Sequence, residues 1–323
     1  MMDNKKIKET FTNCGKGIRD DMGNLIKWLL LAAITGCVVG AISSLFAHTL
    51  SFVTDLRKEN TWIFYLLPVA GLIIVFLYEK LGKNDVGTNK LFSAVKDKNE
   101  VQFRSAPMIF LSTALTHLTG GSAGREGAAL QLGGSVANQL GRLLPLDEED
   151  RRVMVMCGMS AGFSALFGTP MAAAVFSLEV VCVGSMYYTA LLPCMVASLI
   201  ATGLAGKLGV HAEAFHVMDI PEFTLVNGAK MGVVALACAV ASILFCLALK
   251  ATGDLYGKYL KNKYVRILVA SALIIGITLL LNTSDYMGAG TVLIIKAVEE
   301  GESKSFAFLW KIILTAITMK AGF

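Results

Sequence analysis

The chain has 323 residues, of which 55% are hydrophobic and 16% charged, with a formal net charge of +5. Soluble domains carry roughly 25% charged residues, so this composition leaves too little polar surface to cover a soluble fold. A water-soluble globular protein is therefore excluded, and an all-α, polytopic helical membrane protein is predicted.

Apolar runs recur along the whole chain, and the longer ones approach the roughly 20 residues that cross a bilayer core. In chain order, the predicted helices span residues 28–52, 61–80, 105–119, 126–143, 150–167, 170–183, 187–206, 229–252, 264–281 and 304–320. Several of these are too short for a complete span, which suggests interrupted helices.

Basic residues are concentrated before the first span, where Lys5, Lys6, Lys8, Lys16, Arg19 and Lys27 stand. By the positive-inside rule, the N-terminus is predicted to be cytoplasmic in a multi-pass protein of the cell (inner) membrane. The lysines are thus interpreted as setting topology and not as binding nucleic acid.

Glycine-rich breaks interrupt the stretch from 105 to 183 at residues 120–124, at Gly133-Gly134 and at 168–170. Breaks inside a membrane leave backbone groups unpaired, which is tolerated only where they are buried in protein or line a water-filled cavity. Broken helices that end near mid-membrane are typical of transport sites.

Two segments of the chain resemble two later ones at nearly the same spacing. Residues 86–95 align with 289–298, with Gly290 standing 203 positions after Gly87. Residues 113–116 align with 315–318, with Gly322 standing 202 positions after Gly120. Such duplications are common in secondary transporters, and they predict inverted-topology repeats.

The spacing also predicts the domain organisation. Residues 1–27 form a cytoplasmic N-terminal segment, 28–207 the first transmembrane repeat, 208–228 a linker and 229–323 a partial second repeat. A complete second copy would extend to about residue 405 by the same period. The second repeat is therefore expected to be incomplete.

The loop from Gly120 to Gly133 concentrates the chemistry of the chain. A helix is predicted to begin near Glu126, so its first N–H groups point back at the glycines and attract anions. A carboxylate at that place can occupy the anion position or swing away, which makes Glu126 a candidate gate and proton carrier. In the alternative, Glu126 only caps the helix and Arg125 reaches to the interface.

The sequence Gly124-Arg125-Glu126-Gly127, followed by Gln131-Leu132-Gly133, resembles the GREGP signature of the CLC family of chloride channels and anion/proton antiporters. The segments 158–170 and 176–179 are similar to later helices of the same family. The resemblance implies an inverted-repeat subunit, a homodimer with one pore per subunit, and anion coordination by helix N-termini. Helices 170–206 would form part of the dimer interface.

Three departures from the family pattern narrow the expected substrate. Ala128 stands in place of the signature proline, and Val180 replaces the usual proton-transfer glutamate. The GSGIP anion loop of the family corresponds to Gly87-Thr88-Asn89, without its serine and proline. Together these resemble the bacterial branch that exports fluoride in exchange for protons.

The resemblance therefore implies an anion site and a gate. The anion-binding residues would be Gly87, Thr88, Asn89, Gly124, Arg125, Gly127 and Ala128, with Glu126 as gate and proton carrier. Fluoride, with chloride as a second anion, and protons are the expected partners, together with membrane lipid. Cysteines without CxxC spacing and histidines without a ligand pair predict no metal site, and no cofactor is expected.

Three alternatives remain open. A passive, Glu126-gated chloride channel would prefer chloride and move no protons. An inert, incomplete fragment of a transporter would move nothing. An intramembrane hydrolase would use Ser122 as nucleophile and His117 as base, but no third group orients the histidine, so the chain is not expected to be an enzyme.

Overall fold

A computed structural model of the chain describes residues 4–81, 91–92, 104–181, 184, 186–211, 222, 224–302, 304 and 306–323, with side chains from residue 22 onward. The described part forms helices and no strand. The helices are α1 (Asn4–Glu59), α2 (Leu67–Leu81), α3 (Ser105–Leu118), α4 (Glu126–Leu143), α5 (Glu148–Phe167), α6 (Pro170–Glu179), α7 (Leu191–Lys207), α8 (Leu225–Tyr259), α9 (Lys263–Leu281), α10 (Thr291–Glu299) and α11 (Ala307–Ala321).

Several helices are long and apolar enough to cross a membrane. Within the described residues there are five such segments: Met22–Glu59, Thr61–Leu81, Tyr188–Lys207, Leu225–Tyr259 and Lys263–Leu281. Glycine-containing turns separate α3 from α4 and α5 from α6, whereas the turn between α4 and α5 contains Pro145. This arrangement confirms the predicted all-α, polytopic membrane fold with broken helices.

Three features differ from the prediction. Helix α1 begins at Asn4 and not near residue 28, and α10 was not predicted at all. The predicted break at Gly133-Gly134 is wrong, because α4 runs through both glycines without interruption. The glycines serve instead as a contact surface between helices.

The chain divides into two compact units, the first of which comprises residues 1–45, 87–103 and 129–211. Here α4 and α5 cross at backbone contact, since a Cβ on Gly133 would collide with the carbonyl of Gly158. Helices α1 and α7 meet in the same way, because a Cβ on Gly36 would lie 2.6 Å from Ala197 O. At these crossings the helices pack through small residues, which let the backbones come into direct contact.

Helix α5 lies at the centre of the first unit and is almost entirely buried between Val153 and Leu166. Its N-terminus is capped by Asp147, whose carboxylate accepts the Asp150 N–H at 2.7 Å. Its C-terminus stops at Gly168 in the left-handed conformation, and Pro170 then begins α6. These are the residue types usually found at helix ends: Asp at the N-cap, Gly after the last turn, and Pro in the first turn of the next helix.

The second unit comprises residues 46–86, 104–128 and 212–323. One apolar core packs Phe64 and Leu67 against side chains of α9 and α11, including Ile274 and Leu314. A second core packs Val75 against α8, α9 and α11. Tyr286, in the loop after α9, belongs to the first of these cores.

Helices α3 and α11 show the repeat in their local geometry. Their first residues, Ser105 and Ala307, are 202 positions apart, and each helix is followed by a glycine with positive φ, Gly120 or Gly322. Equivalent threonines make the same bond to the preceding turn: Thr116 Oγ1 donates to Ser112 O at 2.8 Å and Thr318 Oγ1 to Leu314 O at 2.7 Å. The duplication read from the sequence is thus repeated in the structure of these two helices, while the residue bounds of the domains stay a prediction.

Candidate functional site

The loop that joins α3 to α4 is held in place by its own backbone. Gly120 has a φ of 78°, a left-handed conformation that glycine adopts without strain. Gly121 N–H donates to Thr116 O at 2.9 Å, and Gly121 O accepts from Gly288 N–H at 3.1 Å. The loop is therefore fastened both to the helix before it and to the loop between α9 and α10.

Glu126 is the first residue of α4, as the sequence predicted, and its side chain is exposed in this chain. Its carboxylate folds back toward the loop, where Oε2 occupies the space that a side chain on Gly124 would fill. Gly127 and Ala128 follow in the first turn and are half-buried. The carboxylate thus lies at a helix start whose N–H groups lack intrahelical acceptors.

Lys311, in the middle of α11, makes hydrogen bonds to two loops, the one before Glu126 and the one between α9 and α10. Its Nζ donates to Ser122 Oγ at 2.8 Å, to Tyr286 O at 3.1 Å and to Gly288 O at 2.5 Å. Three acceptors match the three N–H groups of an ammonium ion. The lysine therefore joins the loop before Glu126 to the loop between α9 and α10.

Arg57, near the end of α1, adds a second positive charge. Its Nη1 donates to the carbonyl of His117 at 2.8 Å. The His117 side chain is only 4% exposed, and its Nε2 has no hydrogen-bond partner among the described residues. Arg57, Arg125 and Lys311 all act electrostatically on this imidazole, so the region is strongly positive.

Glu126 supplies negative charge to this region, because its carboxylate acts electrostatically on Lys311. Arg125 precedes Glu126 in the loop and is half-buried. Clusters of basic side chains create a positive potential that attracts anions, and here one carboxylate, that of Glu126, lies among them.

Ser122 does not have the surroundings that the hydrolase alternative requires. Its hydroxyl lies 3.0 Å from Thr315 Oγ1 and accepts from Lys311, and no hydrogen bond joins it to His117 within the described residues. Lys311 uses all three N–H groups as a donor, so it holds no free electron pair to take a proton from Ser122. The serine is a structural link between the two loops.

Gly87, Thr88 and Asn89, which were predicted to line the anion site, lie outside the described residues. The structure therefore brings together Gly124, Arg125, Glu126, Gly127 and Ala128, and gives no position for the other three. Their part in the site stays a prediction.

Arg57 and Lys311 were not singled out in the sequence, although they contact the loop most directly. Their partners lie 60 and 189 positions away along the chain, which no local pattern encodes. One signal was present for Lys311, since it stands inside the apolar run 307–319, and ionisable residues within membrane helices are usually functional.

An ionic cluster fixes the loop between α9 and α10 from the other side. Asp285 accepts from Lys304 at 2.8 Å and from Lys296 at 3.0 Å. The hydrogen bond from Lys304, and to a lesser degree that from Lys296, holds the pKa of Asp285 at about 2, below its ordinary 3.8. This cluster keeps Tyr286 and Gly288 in position for Lys311.

Comparison with known proteins gives relatives over most of the chain. A family model described as voltage gated chloride channel matches residues 70–323. A chloride/fluoride channel protein of Pseudomonas syringae is 32% identical over 307 residues, which cover 93% of this chain and 68% of the relative. The ClcA H(+)/Cl(-) exchange transporter of Vibrio cholerae is 23% identical over 82% of this chain and 61% of its own length.

Solved structures agree in fold. The crystal structure of a CLC-type fluoride/proton antiporter superimposes with a TM-score of 0.88 at 31% identity, covering 93% of this chain and 76% of that one. A slow cyanobacterial Cl-/H+ antiporter superimposes with a TM-score of 0.76 at 16% identity, covering 91% of this chain and 74% of that one, a likeness of fold alone.

The family model, the relatives and the fold all indicate the family that the Gly-Arg-Glu-Gly segment at the start of α4 resembles. The chain belongs to the voltage gated chloride channel (CLC) family.

Proposed function

We propose that this protein is a fluoride/proton antiporter that exports fluoride, with Glu126 as both gate and proton carrier. The observation that carries the proposal is the position of the Glu126 carboxylate, folded over Gly124 at the exposed start of α4. In the proposal, this carboxylate competes with an anion for the N-terminus of α4.

The proposed mechanism follows from competition at this helix start. An ionised Glu126 is attracted to the N–H groups of residues 126–128 and blocks the anion position. A protonated Glu126 is neutral, loses that attraction and moves aside with its proton. Fluoride then binds the backbone N–H groups of Gly127 and Ala128, so anion and proton replace each other and move in opposite directions.

Fluoride selectivity is proposed to come from close hydrogen-bond donors. Fluoride is small and strongly hydrated, so donors at short range must replace its water. The N–H groups at the start of α4 and the Thr88 hydroxyl are suited to this, with Gly87, Asn89, Gly124 and Arg125 around them. Thr88 alternatively acts only as a helix N-cap.

Two of the relatives support the assignment. One is described as a chloride/fluoride channel protein and the other as a CLC-type fluoride/proton antiporter, at 32% and 31% identity. The chain spans 68% of the length of the Pseudomonas syringae relative and 61% of that of the Vibrio cholerae relative.

A passive chloride channel gated by Glu126 is the second candidate. It is favoured by the word channel in the name of the Pseudomonas syringae relative. The absence of the usual acid at Val180 also fits a channel, since a channel needs no internal proton relay. Proton movement separates the two candidates.

The proposed setting is the cell (inner) membrane, with the N-terminus in the cytoplasm because of the lysines before the first span. A homodimer is proposed through α6 and α7, as in the family. These helices expose the large apolar side chains Met171, Val175, Phe176, Leu192 and Leu199, which need a partner or lipid to cover them.

Anion efflux from liposomes tests the assignment. The protein is reconstituted, and fluoride and chloride release are followed with ion-selective electrodes. Fluoride release that is faster than chloride release and accompanied by proton uptake is the expected result. Free chloride flow without proton movement would replace the antiporter with the channel.

A further inference from the structure

Lys311 is a half-buried positive charge in the middle of α11, with apolar residues on both sides of it in the chain. The three atoms that accept its hydrogen bonds, Ser122 Oγ, Tyr286 O and Gly288 O, are all neutral. No carboxylate oxygen of a described residue lies within 4 Å of its ammonium group. A partly buried cation without an ion-pair partner is costly, so a negative charge further away stabilises it.

Glu126 supplies that negative charge. Its carboxylate is the one acidic group that acts electrostatically on Lys311, where it opposes the repulsion from Arg57. Both residues belong to the second compact unit. An opposite charge favours the ionised form of a carboxylate and has no such effect on the neutral acid. The attraction between Lys311 and Glu126 therefore depends on whether Glu126 carries a proton.

The two partners differ in how firmly they are held. The Lys311 ammonium is fixed by three hydrogen bonds, one of them to Ser122, four residues before Glu126. The Ser122 hydroxyl also lies 3.0 Å from Thr315 Oγ1, one turn further along α11. The Glu126 side chain, in contrast, is exposed and folds back over Gly124. A fixed positive charge thus acts on an exposed carboxylate.

We infer that Lys311 is a positioning residue for the Glu126 gate: its fixed charge holds the ionised carboxylate at the start of α4 and sets the pH at which Glu126 takes up a proton. The inference rests on the proposed function, in which Glu126 carries the proton. Protonation removes the attraction to Lys311, so the neutral side chain is released from the helix start.

The other charged and titratable groups around this loop are Arg57, Arg125 and His117. Arg125 directly precedes Glu126, whereas Arg57 and Lys311 come from other helices. Arg57 Nη1 donates to the carbonyl of His117, within α3, and Lys311 donates to Ser122, within the loop that leads to Glu126. Lys311 is therefore the charge from another helix that is fastened to the gate loop.

Lys311 also links two loops, so a test must separate its charge from its hydrogen bonds. Lys311→Gln keeps N–H donors but removes the charge, and Lys311→Met removes both. Lys311→Arg keeps the charge but presents its donors in a different, planar geometry. If the charge matters, the arginine variant resembles the wild type and the two neutral variants resemble each other. If only the hydrogen bonds matter, the neutral variants lose stability and the protonation of Glu126 does not change.

Infrared spectroscopy of the reconstituted protein measures this protonation without any transport. The carbonyl band of the protonated Glu126 side chain is identified by its absence in Glu126→Gln and is followed against pH. In Lys311→Gln and Lys311→Met, we expect the midpoint to rise by about one pH unit, because one opposite charge is lost. Lys311→Arg, and Lys320→Met as an exposed lysine on the same helix, should stay within about 0.3 units of the wild type.

Equal midpoints in the wild type and both neutral variants would overturn the inference, even if those variants are less stable. A shift of the same size in Lys311→Arg would overturn it as well, since the charge would then have no part. Two neutral variants of different size are used so that the failure of one to fold leaves the other to decide.

Fluoride efflux recorded against pH separates this inference from the proposed function. We expect the pH midpoint of efflux in Lys311→Gln to rise with the infrared midpoint. An infrared shift without a shift in efflux would confirm that Lys311 acts on Glu126 and would refute Glu126 as the proton carrier. A shift in efflux without an infrared shift would refute the role of Lys311, because its charge would then act on another group.

Discussion

Gly124 lies two residues before Glu126 in the chain, and Glu126 Oε2 lies in the space that a side chain at position 124 would occupy. The carboxylate can therefore fold over the loop only because position 124 is a glycine. The same loop is tied to α11 by Lys311 and to the loop after α9 by Gly121. The Glu126 carboxylate thus lies on a loop whose backbone is held in place by hydrogen bonds.

Gly124→Ala is expected to displace the Glu126 carboxylate, because a methyl group and Oε2 cannot share that space. Gly124 does not have a left-handed φ, so the backbone itself tolerates alanine. We expect the fluoride efflux rate of the full-length product to change by about tenfold, which corresponds to about 1.4 kcal/mol in the barrier.

Gly23→Ala is the matched control for this variant, since nothing lies within 4 Å of a Cβ at that position in α1. Its efflux rate should equal that of the wild type. If Gly124→Ala also transports fluoride at the wild-type rate, the folded-back carboxylate has no part in gating.

Lys311→Met should destabilise the protein, because it removes three hydrogen bonds from one ammonium group and leaves Ser122, Tyr286 O and Gly288 O without that donor. Loss of hydrogen bonds to a buried charge costs about 2–4 kcal/mol in total. Chemical unfolding in detergent measures this difference. Lys320→Met, an exposed lysine on the same helix, should cost less than about 0.5 kcal/mol; equal effects of the two substitutions would refute the linking role of Lys311.

Gly158→Ala is expected to separate α4 from α5. The added Cβ would collide with Ala137 Cβ and with the Gly133 carbonyl, so the two helices must move apart. Overpacking of this kind costs about 1–3 kcal/mol, to be measured as the free energy of unfolding. Gly23→Ala again serves as the control, and a Gly158→Ala protein as stable as that control would show that the helices do not cross at backbone contact.

Asp285 predicts a pH dependence of stability. Lys304 and Lys296 hold its pKa at about 2, below the ordinary 3.8, so the ionised form is favoured in the folded protein. The stabilisation is fully present above about pH 4 and is lost as the pH falls toward 2. The two lysines are partly exposed and therefore screened, so we expect about 1–2 kcal/mol.

The measurement compares wild type with Asp285→Asn between about pH 6 and about pH 2.5, a range that brackets the loss of the ionised form. The difference in unfolding free energy should shrink steadily below about pH 4. Asp55→Asn removes an exposed partner of Lys58 and should have little effect at any pH. A difference for Asp285→Asn that stays constant over the whole range would contradict the ion cluster.

The start of α4 was predicted correctly from the sequence because its signals are local. Five small residues precede a charged pair, and an acidic residue stands in the first turn of an apolar helix. The helix break predicted at Gly133 and Gly134 was wrong. In a sequence, a glycine pair that breaks a helix cannot be distinguished from one that lets two helices come into contact. Only the position of Gly158 distinguishes the two cases.

The positive side chains around the loop could not be predicted in the same way. Arg57 meets His117 across 60 residues, and Lys311 meets Ser122 across 189. Helix α10 was missed since it has only nine residues and lies between glycines with positive φ, Gly290 and Gly301. Periodicity alone does not identify a helix in so short an apolar run.

Proton-coupled fluoride efflux by Glu126→Gln tests the central proposal most directly. The full-length product is reconstituted with this substitution, with Glu59→Gln as a control at an exposed acid, and fluoride and proton movements are recorded together. The proposal predicts that Glu126→Gln abolishes proton movement while Glu59→Gln behaves as the wild type. Proton uptake driven by fluoride in Glu126→Gln at the wild-type rate would show that another group carries the proton.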